Sequence, residues 1–494
     1  MRFDRRTMLR ILGGAAAAWP LRGYARQAPA KRARSGRPNF IVMMTDDQRA
    51  DAMGVARHPV LKTPNIDRIA TEGVRFTEAF VTNSLCSPSR TSFLTGLYSH
   101  RHGVTTNSVN EMLPDDPKLC HTHTNYVSRL RDAGYQTALI GKWHLSPDPP
   151  GFDHWVMLPG WGGYTDPEIV ANGAWVRMRG HTDDIIGDQA LLYLERERDP
   201  KKPFCMLYSF KAPHGNWTPA QRYANAFADI EIPLPPTLED KLEGRPEALR
   251  RTQMAIADMG DFGVPRSLPA AERARLNYTH LVKNYYRVLL GVDDNVGRVL
   301  DYLDKNGLAE DTVVVYTSDN GFFLGEHGFF DKRLMYEPSI RVPFLVRAPG
   351  RIAPRVESEH MVLNVDLAPT IFELAGLPVP ACMQGKSFLP LLEGKSVPWR
   401  DAFYYEYFEH PGPHCVRKNH GIRTDQWKLI EFWEEPQELE LYDLARDPEE
   451  IRNLAGDPKL AGTVRDLRER MQKLRRELGD SDPPGSTPRA SPCP

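Results

Sequence analysis

Phe40-Ile41-Val42-Met43-Met44 runs directly into Thr45-Asp46-Asp47, and the fold follows from how that stretch is read. Five consecutive apolar residues stopped by acids suit a strand buried on both faces, as in a parallel sheet covered by helices. Gln136-Thr137-Ala138-Leu139-Ile140, Phe204-Cys205-Met206-Leu207-Tyr208 and Thr312-Val313-Val314-Val315-Tyr316 read the same way. Between Leu281 and Leu303, apolar residues at 281, 285, 288, 289, 292, 296, 299, 300 and 303 keep helical spacing, and Gly307 is placed to close that helix. Strands alternating with helices predict an α/β fold with a large, mostly parallel sheet between helices over residues 31–398. Residues 220–270, rich in Pro, Asp and Glu, read as a long surface excursion. After Arg400 the texture changes to short strands, among them Ala402-Phe403-Tyr404-Tyr405-Glu406-Tyr407 and Trp427-Lys428-Leu429-Ile430, and then a charged helical stretch from Leu460 to Leu478. This predicts a smaller C-terminal antiparallel-sheet and helix subdomain over 399–479, followed by a Pro/Ser-rich, disordered tail at 480–494.

Length and composition bound the function. The 494 residues carry 63 Lys+Arg against 64 Asp+Glu and are 41% hydrophobic, which excludes wholesale disorder. No interior stretch is apolar enough to span a membrane, and a net charge of −1 without a basic stripe argues against a nucleic-acid partner. Residues 1–30 pair Arg5-Arg6 with a weakly apolar Gly/Ala-rich segment, the pattern of a twin-arginine-type signal peptide. Its loss would take the net charge from −1 to −6. A mildly acidic, exported protein then needs a local positive pocket to hold an anion. The six cysteines (86, 120, 205, 382, 415 and 493) form no CxxC pair and specify no disulfide pairing.

Ligands of open α/β sheets bind beyond the carboxyl ends of the strands. Here four strand ends run into reactive side chains: Asp46-Asp47, Gly141-Lys142-Trp143-His144, Lys211-Ala212-Pro213-His214 and Ser318-Asp319-Asn320-Gly321. Asp46, Asp47, Asp319 and Asn320 offer hard oxygens only, which suit Ca²⁺ or Mg²⁺ better than Zn²⁺. A carboxylate pair for acid–base work is the alternative. Leu85-Cys86-Ser87-Pro88-Ser89-Arg90-Thr91-Ser92-Phe93-Leu94-Thr95-Gly96 reads as a helix with Pro88 in its first turn and Gly96 at its end. Cys86 would then sit at the helix N-terminus, where the dipole favours an anionic nucleophile, with Arg90 one turn on.

These motifs resemble those of the formylglycine-dependent sulfatases of the alkaline-phosphatase-like fold, from Arg37 to about Pro458. The match rests on Cys86-Ser87-Pro88-Ser89-Arg90 with Leu94-Thr95-Gly96, on Gly141-Lys142-Trp143-His144, and on Ser318-Asp319-Asn320-Gly321 with Gly325-Glu326-His327-Gly328 and Lys332. The resemblance implies oxidation of Cys86 to formylglycine, whose hydrate attacks sulfur and later ejects sulfate. It implies that Asp46, Asp47, Asp319 and Asn320, together with the modified Cys86, hold Ca²⁺, with Mg²⁺ possible. Arg90 and His144 would hold the hydrate, with His144 or a metal-bound Asp taking its proton; Lys142 and Lys332 would clamp the sulfate, and His214 would protonate the leaving oxygen. His327 and Lys211 read as structural and Trp143 as packing.

Gly151-Phe152-Asp153-His154-Trp155, Ala212-Pro213-His214-Gly215-Asn216-Trp217, Tyr404-Tyr405-Glu406-Tyr407 and Gly421-Ile422-Arg423-Thr424-Asp425-Gln426-Trp427-Lys428-Leu429-Ile430 look like segments of bacterial N-acetylglucosamine-6-sulfatase-type enzymes. So does Glu440-Leu441-Tyr442-Asp443-Leu444. A sulfated carbohydrate, with a 6-O-sulfated N-acetylglucosamine unit first, is the expected substrate, and His414 or His420 would reach over the pocket to read it. The implied partners are a formylglycine-generating or radical SAM sulfatase-maturating enzyme and the twin-arginine translocase, placing the mature chain in the periplasm or outside a bacterium. Phosphate or phosphonate monoester hydrolysis is the alternative within the superfamily, and another sulfated sugar or an aryl sulfate the alternative substrate. A non-catalytic glycan-binding relative would be expected to lack Cys86, Arg90 or a metal ligand, and all are present.

Overall fold

The structure, a computed structural model, describes residues 36–107, 125–145, 148–434 and 436–480. The signal segment 1–30, Cys120, Cys493 and residues 481–494 of the tail lie outside the described residues. Ten strands form the main sheet, in the order Val356–Ser358, Val74–Phe76, Phe344–Arg347, Thr312–Ser318, Asn39–Thr45, Phe204–Ser209, Gln136–Lys142, His154–Leu158, Glu168–Ala171 and Ala174–Arg177. The five from Thr312–Ser318 to His154–Leu158 are mutually parallel, and antiparallel pairings begin at Phe344–Arg347 on one side and Glu168–Ala171 on the other.

The continuous apolar run of the first strand has a direct cause. Ile41 and Met43 point into one buried cluster with Leu281, Tyr285, Val288 and Val292 of the helix Ala270–Lys305. Phe40, Val42 and Met44 point into another with Phe93 and Leu94 of the helix Cys86–Thr95. Both faces are covered, so no polar face was needed. The long helix starts eleven residues before its predicted first contact, and Gly307 follows its C-cap Asn306 with φ of 64°.

The C-terminal strands Ala402–Tyr407, Asn419–Thr424, Trp427–Phe432 and Glu438–Asp443 form a separate four-stranded antiparallel sheet. Leu467 and Met471 of the helix Ala461–Leu478 join the same core cluster as that sheet and the Cys86–Thr95 helix. The excursion at 220–270 is more than a surface loop. Ala248, Leu249, Met254 and Ile256 are core residues, and buried Arg245 donates to the hydroxyls of Tyr336 (2.7 Å) and Tyr442 (2.8 Å). Its composition is polar because most of its length is exposed, while a few apolar side chains pin it down. Among the described residues, no helix is long and apolar enough to cross a membrane.

Candidate active site

Register brings the four reactive strand ends to one edge. Thr45 pairs with Ser318, Met44 with Ser209, and Ser209 with Gly141, so the residues that follow each strand emerge side by side. Asp46, Asp47 and Asp319 are at most 1% exposed, and one oxygen from each lies within 4.8 Å of the others. The Asp47 amide donates to Asp319 Oδ1 (3.1 Å), and Tyr285 of the long helix donates to the Asp47 carbonyl (2.7 Å). These bonds hold Asp47 at a left-handed φ of 69°. Asn320 donates from Nδ2 to Asp47 Oδ1 (2.6 Å), while its buried Oδ1 has no hydrogen-bond partner among the described residues. Three carboxylates and an unspent amide oxygen fit a hard divalent cation.

Three buried cations face the three carboxylates. Lys142 pairs with Asp46, and Lys332 Nζ donates to both oxygens of Asp47 at 2.6 and 2.8 Å. Arg90 donates from Nε to Asp319 (2.8 Å) and from Nη1 to Ser209 Oγ (2.8 Å), and lies 3.4 Å from Asp46. Burial pushes the Asp46 carboxyl up, yet Lys142, His214, Arg90 and Lys332 outweigh it and hold the group well below its ordinary value. At Asp47 burial wins: the group rises to about 7, opposed by Lys332 and reinforced by Asp46 and Asp319.

Cys86 is the first residue of its helix, which ends at Gly96 with φ of 68°. Its Sγ is 3.6 Å from Asp46 Oδ1 and wholly buried. The expected thiolate is not favoured. Burial drives the thiol far above its ordinary value; Lys332 opposes this, while Asp46 and Asp319 add to it. Desolvation and two neighbouring anions outweigh the helix dipole, so the unmodified sulfur is a neutral, poor nucleophile.

His144 adopts a left-handed φ of 55°, and its carbonyl accepts from Ser87 Oγ (2.8 Å), tying it to the Cys86 helix. His214 Nε2 lies 3.9 Å from Asp47, and His214, Asp46 and Cys86 each place a ligand atom within 4.8 Å of the others. Burial first, and Lys142 second, hold both imidazoles well below their ordinary value, so both rings are neutral near pH 7. Buried Lys211 donates to the carbonyl of Trp161 (3.1 Å) and is lowered to about 8, by burial and then by Lys142.

Trp143 packs edge-on against Phe152, and His327 pairs with Asp240 at 2.9 Å. His414 Nε2 lies 2.6 Å from Asp331, the neighbour of Lys332, so it borders the site. His420 is instead buried in the small sheet, paired with Glu431 (2.9 Å) and stacked on Trp433, with no contact to the residues above. Sequence reading missed Ser209, which holds Arg90, Tyr285, which holds Asp47, and Trp161, whose indole N–H donates to His144 Nε2 (3.1 Å). Only Trp161 carries a signal, the flanking glycines of Gly160-Trp161-Gly162-Gly163, which mark a tight turn.

The sulfatase family model matches residues 38–377, and the model described as N-sulphoglucosamine sulphohydrolase, C-terminal, matches residues 325–477. The chain is 39% identical to an N-acetylglucosamine-6-O-sulfatase of Bacteroides thetaiotaomicron, covering 90% of this chain and 88% of that protein. It is 31% identical to the Homo sapiens N-acetylglucosamine-6-sulfatase, over 87% of this chain and 83% of that one. A protein solved in complex with its substrate D-glucosamine-2-N,6-O-disulfate superposes with a TM-score of 0.84 at 38% identity, covering 90% of this chain and 99% of that one. With the family model matching residues 38–377, a range that holds the buried carboxylates, both lysines and Cys86, and with 39% identity over 90% of its length to a named sulfatase, the chain belongs to the sulfatase family of sulfuric ester hydrolases.

Proposed function

We propose that this protein removes the 6-O-sulfate from an N-acetylglucosamine unit of a sulfated glycan, using a formylglycine made from Cys86 and a Ca²⁺ ion at Asp46, Asp47, Asp319 and Asn320. The observation that carries the mechanism is Cys86 itself. It opens its helix 3.6 Å from a carboxylate of the cation set and shares a pocket with Asp46 and His214, so a hydrated aldehyde in its place would lie beside the cation and within reach of the proton donor. The substrate reading rests on the relatives named above, two of which are N-acetylglucosamine-6-sulfatases.

As a hydrated aldehyde, residue 86 would supply one hydroxyl to attack sulfur and a second to eject sulfate, while a bound divalent cation would add positive charge at the sulfate oxygens. This chain's own residues supply the rest. Asp46, Asp47 and Asp319 are balanced by Arg90, Lys142 and Lys332, so a divalent cation leaves the pocket net positive and ready for an anionic ester. Lys142 and Lys332 turn from the carboxylates to the sulfate oxygens as negative charge builds there. Arg90, anchored by Asp319 and Ser209, holds the nucleophile's oxygen. His214, drawn toward its protonated form by the incoming anion, donates to the leaving oxygen.

Complete burial of Cys86 has a cellular corollary. A formylglycine-generating or radical SAM sulfatase-maturating enzyme must reach it before the chain folds, and export of the folded product through the twin-arginine translocase is compatible with that order. The test is a peptide mass spectrum of residue 86 in protein from its native host, with sulfate release assayed on N-acetylglucosamine-6-sulfate, galactose-6-sulfate, an aryl sulfate and a phosphonate monoester. We expect an aldehyde and preference for the glucosamine ester. An unmodified thiol in active protein overturns the mechanism; an aldehyde with another preferred ester overturns the substrate.

A further inference from the structure

Trp161 is 62% exposed, yet its position is closely determined. Gly160 and Gly162 take φ of 56° and 63°, and the Gly162 amide closes a turn onto the Pro159 carbonyl (3.1 Å). Lys211 grips the Trp161 carbonyl (3.1 Å), and the indole stacks against His214 with ring centroids 6.5 Å apart. The turn therefore presents the indole N–H to His144 Nε2 at 3.1 Å.

An indole nitrogen can only donate. Nε2 of His144 must therefore carry a lone pair, since an imidazolium, or a ring protonated at Nε2, would set two N–H groups against each other. A neutral ring with its lone pair on Nε2 has its proton on Nδ1. That Nδ1 is buried and has no hydrogen-bond partner among the described residues.

We infer that Trp161 is a positioning residue that fixes His144 in the Nδ1–H form, so that His144 meets an oxygen of the substrate or of modified residue 86 as a hydrogen-bond donor. This rests on the reading of His144 as a group that holds the nucleophile, and it decides what the sequence left open. With Nδ1 carrying the proton, His144 does not deprotonate the hydrate, and that role falls to a carboxylate of the cation set. Nothing in the turn contributes to the core, so the N–H is separable from the fold.

The test has two arms. In protein labelled with ¹⁵N-histidine, two-bond proton–nitrogen correlation spectra distinguish the tautomers, and His144→Gln assigns the His144 signals. We expect Nδ1–H in the wild-type protein and loss of that preference in Trp161→Phe, which keeps an aromatic side chain but removes the N–H. A wild-type Nε2–H form or an imidazolium overturns the inference, whether or not the protein turns over any ester. In the second arm Trp161→Phe should lower kcat on an aryl sulfate about 3- to 10-fold, the worth of one net hydrogen bond, with KM and melting temperature unchanged. An unchanged kcat overturns the positioning role. Lack of turnover by wild-type protein carrying the aldehyde counts against the proposed function and leaves the tautomer to the spectra.

Discussion

Replacing Lys211 by Met should change how the protein's stability responds to alkaline pH. Lys211 is 1% exposed, donates to the carbonyls of Trp161 and Gly215 at 3.1 and 3.5 Å, and lies 4.8 Å over the Tyr164 ring. Burial, helped by the charge of Lys142 and opposed by Asp46, Asp183 and Asp47, lowers its ammonium from 10.5 to about 8. Between those values the unfolded chain binds the proton and the native protein does not, so native stability rises with pH across that window. Below pH 8 the native state carries the full cost of a charged, desolvated amine. The gap of roughly 2.5 pH units corresponds to about 3 kcal/mol. Met does not titrate, so Lys211→Met escapes that cost at pH 7 but removes the donor from two part-buried carbonyls, at about 0.5–1.5 kcal/mol each. The two effects oppose each other at pH 7, and only the loss remains by pH 10.5. Urea unfolding of both proteins in half-unit pH steps should therefore show the variant falling behind by about 3 kcal/mol across the window. A difference that stays flat, or one that favours the variant as pH rises, would refute the reasoning.

Chelation of the purified protein should lower its melting temperature and added Ca²⁺ restore it. Because Asp47 titrates near 7 without the ion, calorimetric Ca²⁺ affinity should weaken below that pH, approaching tenfold per pH unit, as a proton competes for the same oxygen. Ser209→Ala removes the 2.8 Å bond to the buried Arg90 guanidinium and should cost about 1.5–3 kcal/mol in urea unfolding, with a matching fall in kcat. An unaltered kcat would mean that Asp319, Asp46 and the Lys142 carbonyl, which also accepts from Nη1 (3.2 Å), suffice to place Arg90. His414→Ala, beside Asp331 at the rim, should raise KM for a sulfated sugar, whereas His420→Ala should cost stability and leave KM alone.

Much of the site was legible because its chemistry is local in the chain. Asp46-Asp47, Cys86 to Arg90, Lys142 to His144 and Asp319-Asn320 each follow a strand or open a helix within a few residues, where turn and cap preferences act. Ser209, Tyr285 and Trp161 escaped notice because their types are ordinary and their partners lie 119, 238 and 17 residues away. His420 lies in the small sheet, paired with Glu431, for a related reason. Its pairing opposite Glu406 and Glu431 settles which neighbours the side chain meets, and register between strands is not a local property.

By itself the sequence determined the α/β class and the four strand ends with their clustered Asp46, Asp47, Asp319 and Asn320 oxygens, because short-range periodicity and strand termination are written in neighbouring residues. Only the tertiary structure decided the state of those groups. A helix dipole legible at Cys86 favours a thiolate, yet complete burial beside Asp46 and Asp319 reverses it, and burial exists only once distant strands have closed over the sulfur. Likewise, which nitrogen of His144 holds its proton depends on an indole brought in from a separate turn, since a donor has direction only after both partners are fixed in space.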